Sequence, residues 1–313
     1  MDNRQRILAE HYLDLAIQLI DEHAPITRQS FGASDDPERA LQDALDLCQV
    51  ESLADAEPVR TVHHLSCTGG TLFSKSIASM ANVLMLNEVD FTSPLPSSGK
   101  NKSSFAPTDM ISLIRQGDEK ADVDLILQIF INDVRVLRHE QWKVGRALVL
   151  RDHSHSHFLN GEDVSNAPTL RDALLAHFPL RSILTVRDPV DSYLAMVAHN
   201  WHQHFLPSGF DEYCRRYHVF LDAYAGAPVF RYEDFVNRPK DVMLSICEAL
   251  ELQFFDRFEE VFDSFKFSGD SGRSGGVIEA RSRREVSTEL QAAFEASERH
   301  PALRDRLGYQ PFS

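Results

Sequence analysis

An apolar run over residues 59–65 breaks off at Ser66-Cys67-Thr68-Gly69-Gly70-Thr71 and resumes as a helix-like run over 72–80. A strand that ends on two glycines and a threonine and turns directly into a helix has few uses in a fold. The glycines let backbone N–H groups converge, and the helix N-terminus behind them carries partial positive charge, so the corner suits an anion. Taken alone, the stretch is equally compatible with a tight strand–helix turn that binds nothing. It is not a Walker A loop, which reads G-x-x-x-x-G-K-[ST]. Gly69 and Gly70 are adjacent, Thr71 follows directly, and no lysine stands beside the second glycine.

The rest of the chain supplies a frame for such a corner. Short apolar segments at 61–66, 83–88, 147–151, 182–187 and 229–232 read as buried parallel strands. Helix-like segments at 72–82, 122–140, 170–177, 190–204 and 210–225 lie between and after them. This alternation predicts an α/β fold with a central parallel sheet flanked by helices. Ligands in such sheets bind outside the C-terminal strand ends, where the Gly-Gly-Thr corner falls. Residues 1–57 read as an N-terminal helical segment packed on the core, and 58–313 as the α/β domain. In the N-terminal segment, Ile7, Leu8, Tyr12, Leu15 and Leu19 share a broad apolar face, and Asp35-Asp36-Pro37-Glu38 starts a second helix. The Ser- and Pro-rich stretch 93–104 is long for a plain connection. It reads as a lid, an acceptor-recognition loop or a segment without function.

The formal net charge of −15 argues against a nucleic-acid partner, because phosphate contacts need clustered Lys and Arg. Cys48, Cys67, Cys214 and Cys247 are scattered, form no C-x-x-C pair, and read as reduced thiols. The polar first ten residues do not resemble a signal peptide, and no stretch approaches the ~18 apolar residues of a membrane span. The expectation is a cytoplasmic protein.

Two further constellations carry chemistry. Arg187-Asp188-Pro189-Val190-Asp191-Ser192 ends one strand and starts a helix, with Asp188 placed to cap and Pro189 in the first turn. Arg187 then projects at the sheet edge, where its planar fork suits a phosphate or simply pairs with Asp188. Arg151-Asp152-His153-Ser154-His155-Ser156-His157 ends another strand. A histidine there suits proton abstraction near neutrality, with His153 first and His155 in reserve on the same side if the segment stays extended. The rivals are a metal site, which H-x-H spacing permits, and solvated structural histidines. Lys75, one helical turn beyond the loop, either reaches back to the site or lies on the helix surface.

Taken in order, these motifs resemble the sulfotransferases that use 3′-phosphoadenosine 5′-phosphosulfate (PAPS), over about residues 60–310. Leu65 to Phe73 resembles the 5′-phosphosulfate loop, and Arg187-Asp188-Pro189-Val190-Asp191-Ser192 the 3′-phosphate motif. Arg231-Tyr232-Glu233-Asp234-Phe235 with Pro239 resembles the R-Y-E-D-L-x-x-x-P stretch. Ser271-Gly272-Arg273-Ser274-Gly275-Gly276 resembles the late loop that closes over the 3′-phosphate. The resemblance implies a P-loop-type, nucleotide-kinase-like core. It implies cofactor contacts from Thr68, Gly69, Gly70, Thr71, Leu72 and Phe73, with Thr71 on the 5′-phosphate and Phe73 stacked on adenine. It also implies contacts from Arg187, Ser192, Arg273 and Ser274 around the 3′-phosphate. Arg151-Asp152-His153 is similar to the family's K-T-H, which makes His153 the base.

The chain departs from the family pattern twice. Thr68 stands where many members have Lys or Arg, and Ala195 where many have a serine on the 3′-phosphate, a place that Ser192 fills one turn earlier. The implied reaction is transfer of a sulfuryl group from PAPS to a hydroxyl, less readily an amine, of a small-molecule, carbohydrate or lipid acceptor, with no metal. The alternatives are a nucleotide or small-molecule kinase on a related fold and a non-catalytic nucleotide-binding protein.

Overall fold

The computed structural model describes residue 7 and residues 56–92, 109–116, 122–267 and 276–310. In chain order its first half comprises β1 (Val59–His64), α1 (Gly70–Ala78), β2 (Val83–Val89), α2 (Met110–Gln116), α3 (Val123–Lys143), β3 (Ala147–Asp152), α4 (Ser154–Phe158) and α5 (Leu170–Leu175). The second half comprises β4 (Leu180–Val186), α6 (Pro189–Ala198), α7 (Phe210–Ala223), β5 (Val229–Arg231), α8 (Tyr232–Asn237), α9 (Pro239–Leu250), α10 (Thr288–Glu295) and α11 (His300–Leu307).

The five strands form one sheet in the order β2-β3-β1-β4-β5, and every pairing is parallel. The chain runs outward from β1 to β2, returns to β3, then crosses to β4 and β5 on the other side. β1 is therefore the centre of a switch in strand order, and the crevice beyond its C-terminal end is where such sheets bind ligands.

Alternation along the strands explains why both sheet faces are covered. Val62, Val149 and Ile183 point to one face, where Phe73 and Ile77 of α1 and Met243, Ile246 and Leu250 of α9 pack. Leu148 and Leu150 point to the other, against Ile131 and Val134 of α3 and Leu170 and Leu174 of α5. Leu184 and Val186 share that second face with Tyr213, Tyr217 and Phe220 of α7. Burying one such apolar side chain stabilises by roughly 1.5–3 kcal/mol. A core this extensive holds the strand ends in fixed positions.

The strands fall where the apolar runs place them, with ends shifted by up to two residues. The helices differ more. The single helix expected over 190–204 stops at Ala198, because Asn200 adopts a left-handed conformation (φ 59°), and a short 3-10 turn over Trp201–Gln203 follows. Residues 153–157 do not stay extended. His153 caps α4, and the hydroxyl of Ser154 donates to Asp152 Oδ2 (2.8 Å) while that of Ser156 donates to Asp90 Oδ2 (2.5 Å). These two bonds fold the chain into a helical turn at once.

Most of the expected N-terminal helical segment lies outside the described residues, as does the stretch 93–104. Ile7 is described, is helical, and is buried in the same cluster as Val62 and Phe73. No helix among the described residues is long and apolar enough to cross a membrane. Cys67, Cys214 and Cys247 are free.

Candidate active site

The corner between β1 and α1 has the geometry its sequence implies. Gly69 caps α1 in a left-handed conformation (φ 89°), and the carbonyl of Gly69 accepts the N–H groups of Leu72 and Phe73. Each glycine is also required by a neighbour. A Cβ on Gly69 would lie 2.5 Å from the Tyr232 ring, and one on Gly70 would lie 2.5 Å from the His64 ring. No acidic residue occupies the first turn of α1. The helix end therefore presents uncompensated N–H dipoles to an anion.

This corner opens on a cavity of about 610 Å³ at the C-terminal ends of the strands. Thr71, Leu72 and Lys75 line it from α1, Glu88 from β2, Arg151 and His153 from the end of β3, His155 from α4, and Arg187 from the end of β4. The structure thus brings together the loop, both histidines, Lys75 and Arg187. Lys75 is buried against the cavity and does not lie on the helix surface.

Four expected contacts are placed differently. The hydroxyl of Thr68 turns inward and donates to Leu65 O (2.8 Å), so it tightens the turn and does not line the cavity. Phe73 is fully buried and stacks on Phe235 at 4.5 Å between ring centres, so it belongs to the core and cannot stack on a nucleotide. Ser192 is also fully buried. Its hydroxyl bonds Tyr213 Oη (2.7 Å) and the carbonyls of Asp188 and Pro189, and Ala195 takes the cavity wall one turn later. His155 does not follow His153 along a strand. The turn of α4 sets its ring 3.8 Å from that of His153, edge to face. Arg273 and Ser274 lie outside the described residues.

Arg187 is held from behind. Its backbone N–H donates to Tyr217 Oη (3.1 Å) and its carbonyl accepts from the same hydroxyl. Its guanidinium sits over the Tyr232 ring at 4.6 Å and reaches Cys67 O at 3.3 Å. Its Nε is buried without a hydrogen-bond partner. Asp188 caps α6 by accepting from the N–H groups of Val190 and Asp191.

Arg151, which the resemblance to K-T-H matches to the basic residue two before the histidine, is a further cation at the cavity. Its side chain is 3% exposed. It donates to His64 Nε2 (2.8 Å), Asn87 Oδ1 (2.6 Å) and Thr71 Oγ1 (3.2 Å), and pairs with Glu88 Oε1 (2.9 Å). A fork with these four partners lies beside the loop threonine, on the strand next to β1. Glu88 was missed as a site residue. The register of β2 shifts between Leu86 and Val89, and Glu88 takes a left-handed backbone conformation (φ 58°), which aims its carboxylate into the cavity. Arg281, Ser282 and Arg284 add a third wall, from a segment that Arg283 ties to Asp191 (2.7 Å) at the start of α6. The run of arginines over 281–284 was the available signal.

Electrostatics separates the histidines. Burial, aided by the charges of His153 and Arg151, pushes His155 down to about 3. Burial and the Arg151 charge also hold His64 well below the usual range, and Arg151 occupies its Nε2. His153 stands between two carboxylates, with Nε2 3.3 Å from Glu88 Oε2 and Nδ1 3.9 Å from Asp90 Oδ2. Burial pushes Asp90 up, yet hydrogen bonds from His153, Ser156 and Thr92 outweigh it and hold the carboxyl far below its ordinary range. Behind this motif, Asp152 Oδ2 meets His63 Nδ1 (2.6 Å), Ser154 Oγ (2.8 Å) and Tyr224 Oη (2.7 Å) in a buried network that fixes the turn carrying His153.

The buried histidines give a pH dependence with a definite sign. His64, His155, His157 and His300 all lie below their ordinary value of 6.5, chiefly through burial. Below that pH the unfolded chain takes up protons that the folded chain refuses, so stability falls with pH through a window that for His155 runs from 6.5 to about 3. Denaturant melts between pH 7 and 4 should show a steady loss, shallower in His155→Ala. A flat profile would contradict the burial of these rings as neutral imidazoles.

Comparison with known proteins adds the family. Residues 65–256 match the model of the sulfotransferase family. The chain is similar in structure to the sulfotransferase domain of the Synechococcus PCC 7002 olefin synthase, at 15% identity and a TM-score of 0.49, over 82% of this chain and 97% of that one. It is also similar to the sulfotransferase domain of the curacin biosynthetic pathway, at 13% identity and a TM-score of 0.47, over 81% and 98%. A third likeness is to mouse sulfotransferase SULT7A1 complexed with PAP, at 11% identity and a TM-score of 0.37, over 81% and 92%. No curated protein matches the chain in sequence.

Proposed function

We propose, for a chain that belongs to the sulfotransferase family, that it transfers a sulfuryl group from PAPS to an acceptor hydroxyl, with His153 as the base. The observation that carries this reading is the meeting of two anion sites in one cavity. One is the N-terminus of α1 with Thr71, and the other is Arg187, whose buried Nε has no hydrogen-bond partner. A nucleotide with phosphates at both its 5′ and 3′ positions satisfies both.

In this scheme PAPS supplies an activated sulfur–oxygen bond. The acceptor oxygen attacks sulfur, the bond to the 5′-phosphate breaks, and 3′-phosphoadenosine 5′-phosphate leaves. His153 Nε2 takes the acceptor proton, with Asp90 on the Nδ1 side of the ring and Glu88 beside Nε2, where its carboxylate stabilises the imidazolium that forms. The N–H groups of α1, Thr71 and Arg151 face the phosphate oxygen on which charge develops. Arg151 thereby supplies from β3 the cation that the loop lacks at Thr68. His155 and His64, both held neutral by burial, are weaker bases at neutral pH.

Arg187 gives the test. Its replacement by alanine removes a charged hydrogen bond of roughly 1.5–3 kcal/mol, or roughly 10–150-fold in affinity. Calorimetry should show that the parent prefers 3′-phosphoadenosine 5′-phosphate over adenosine 5′-phosphate and that Arg187→Ala loses this preference by that factor. Equal preference in the two proteins would remove Arg187 from the 3′-phosphate site.

A further inference from the structure

The same cavity holds a donor set that sulfuryl transfer does not require. Glu88, His153 and His155 each present one ligating atom, and these atoms all lie within 4.8 Å of one another. This is the one such group of three among the described residues. The histidines at 153, 155 and 157 alternate at the H-x-H spacing that permits a metal site. The fold selects two of them and replaces the third, His157, with a carboxylate from another strand.

From this arrangement we infer that the Glu88–His153–His155 cluster is a reversible binding site for a divalent transition metal such as Zn²⁺, and that the metal switches transfer off by taking the lone pair of the base.

Three observations support the site. First, the cluster holds buried polar atoms that make no hydrogen bond. Glu88 Oε2 and His155 Nδ1 are both buried without a hydrogen-bond partner. Buried polar atoms in folded proteins nearly always have partners, and an ion that the cluster can take is one explanation of an exception. Second, the spacing fits. Ligands about 2.0–2.1 Å from a tetrahedral Zn²⁺ stand about 3.3–3.4 Å apart, and His153 Nε2 lies 3.3 Å from Glu88 Oε2. The ligating nitrogen of His155 lies within 4.8 Å of both. Third, the outer partners are those that metal-bound groups use. Asp90 faces the far nitrogen of His153 at 3.9 Å, and Arg151 holds the other oxygen of Glu88 at 2.9 Å. Such partners fix the orientation of a ligating imidazole or carboxylate.

The donor set also selects the metal. Two imidazoles and one carboxylate suit Zn²⁺, Co²⁺, Ni²⁺ or Cu²⁺, whereas Mg²⁺ and Ca²⁺ prefer all-oxygen shells. The guanidinium of Arg151 opposes a nearby dication, so binding is reversible and the ion is not a fixture of the fold. Chelation should leave the reaction intact or enhance it, the reverse of its effect on a metal-dependent enzyme. Occupancy rests on the donor geometry alone. The inhibition rests on His153 being the base.

The test uses the full-length chain after chelation and dialysis, with Co²⁺ as the spectroscopic probe and Zn²⁺ in the activity assay. Co²⁺ should bind at one ion per chain and give visible ligand-field bands. Glu88→Gln, which keeps an acceptor for Arg151 but removes the anionic ligand, and His155→Ala should each weaken binding by at least about 10-fold. His157→Ala should bind as the parent does. Circular dichroism confirms that each variant is folded, and the two ligand variants, on different elements, serve as checks on each other. Absence of the bands in the parent, or binding that survives both ligand variants, would overturn the site. Zn²⁺ should then slow transfer in competition with the acceptor, reversibly on chelation. Zn²⁺ bound at the cluster with transfer unaffected would overturn the inhibition and the assignment of His153, while the site itself would stand.

Discussion

Replacing His153 with alanine is expected to slow transfer by about 10²–10⁴-fold, the usual cost of losing a general base, while affinity for 3′-phosphoadenosine 5′-phosphate stays at the parent value. The two effects separate because the proposed base and the proposed phosphate contacts are different residues. His153 lies at the end of β3, between Glu88 and Asp90, whereas the phosphate contacts proposed are α1, Arg151 and Arg187. His155→Ala should be milder. Its imidazole is held down to about 3 by burial, so at neutral pH it is a weak proton acceptor despite lying 3.8 Å from His153. Turnover and binding measured on both single mutants decide the matter. An active His153→Ala beside an inactive His155→Ala would move the base to His155.

The second large effect belongs to Arg151. Its guanidinium is buried, and it joins β1, β2, β3 and α1 through His64, Asn87, Glu88 and Thr71. Burial presses its pKa down, and the Glu88 carboxylate opposes that. Arg151→Ala removes the donor that the proposed reaction sets against the developing charge, a loss that typically costs about 10²–10³-fold in rate. It also leaves Glu88 with only the His153 contact, and breaking a buried pair costs about 3–5 kcal/mol in stability. Arg151→Lys should recover part of the stability but little of the rate, because an ammonium cannot span the four partners of the fork. Thermal unfolding and steady-state turnover give the two readouts. Parent-like turnover in Arg151→Ala would mean that the loop manages without a cation.

What could be read from the sequence follows from where information is local. The parallel strands are buried on both faces, so each is a short apolar run and its position shows directly. The Gly-Gly-Thr corner and the Arg187–Asp188–Pro189 corner are also local, because a turn and a cap are set by the residues within them. The facing of side chains was less legible. Thr68, Phe73 and Ser192 each sit within a few residues of a true cavity residue, yet all three point inward. One position along a helix is a rotation of about 100°, so Leu72 lines the cavity while Phe73 meets Phe235.

Long-range features were hidden for another reason. Glu88 enters the site through a bulge in β2, and Arg151 becomes a site cation only because β3 pairs beside β1. The extended reading of 153–157 failed for a local reason that was visible but not used. Two serines alternate with the histidines, and both turn the chain by bonding acidic side chains.

In the proposed function this cavity moves sulfuryl groups from PAPS and not phosphoryl groups from ATP. The most direct measurement incubates the chain with ³⁵S-labelled PAPS or with γ-³²P-labelled ATP and Mg²⁺, each against pools of hydroxyl-bearing acceptors. The expected result is ³⁵S on an acceptor with an equal amount of 3′-phosphoadenosine 5′-phosphate released, loss of that transfer in His153→Ala, and no ³²P transfer. Movement of ³²P, or tight binding of PAPS with no transfer in any pool, would contradict it.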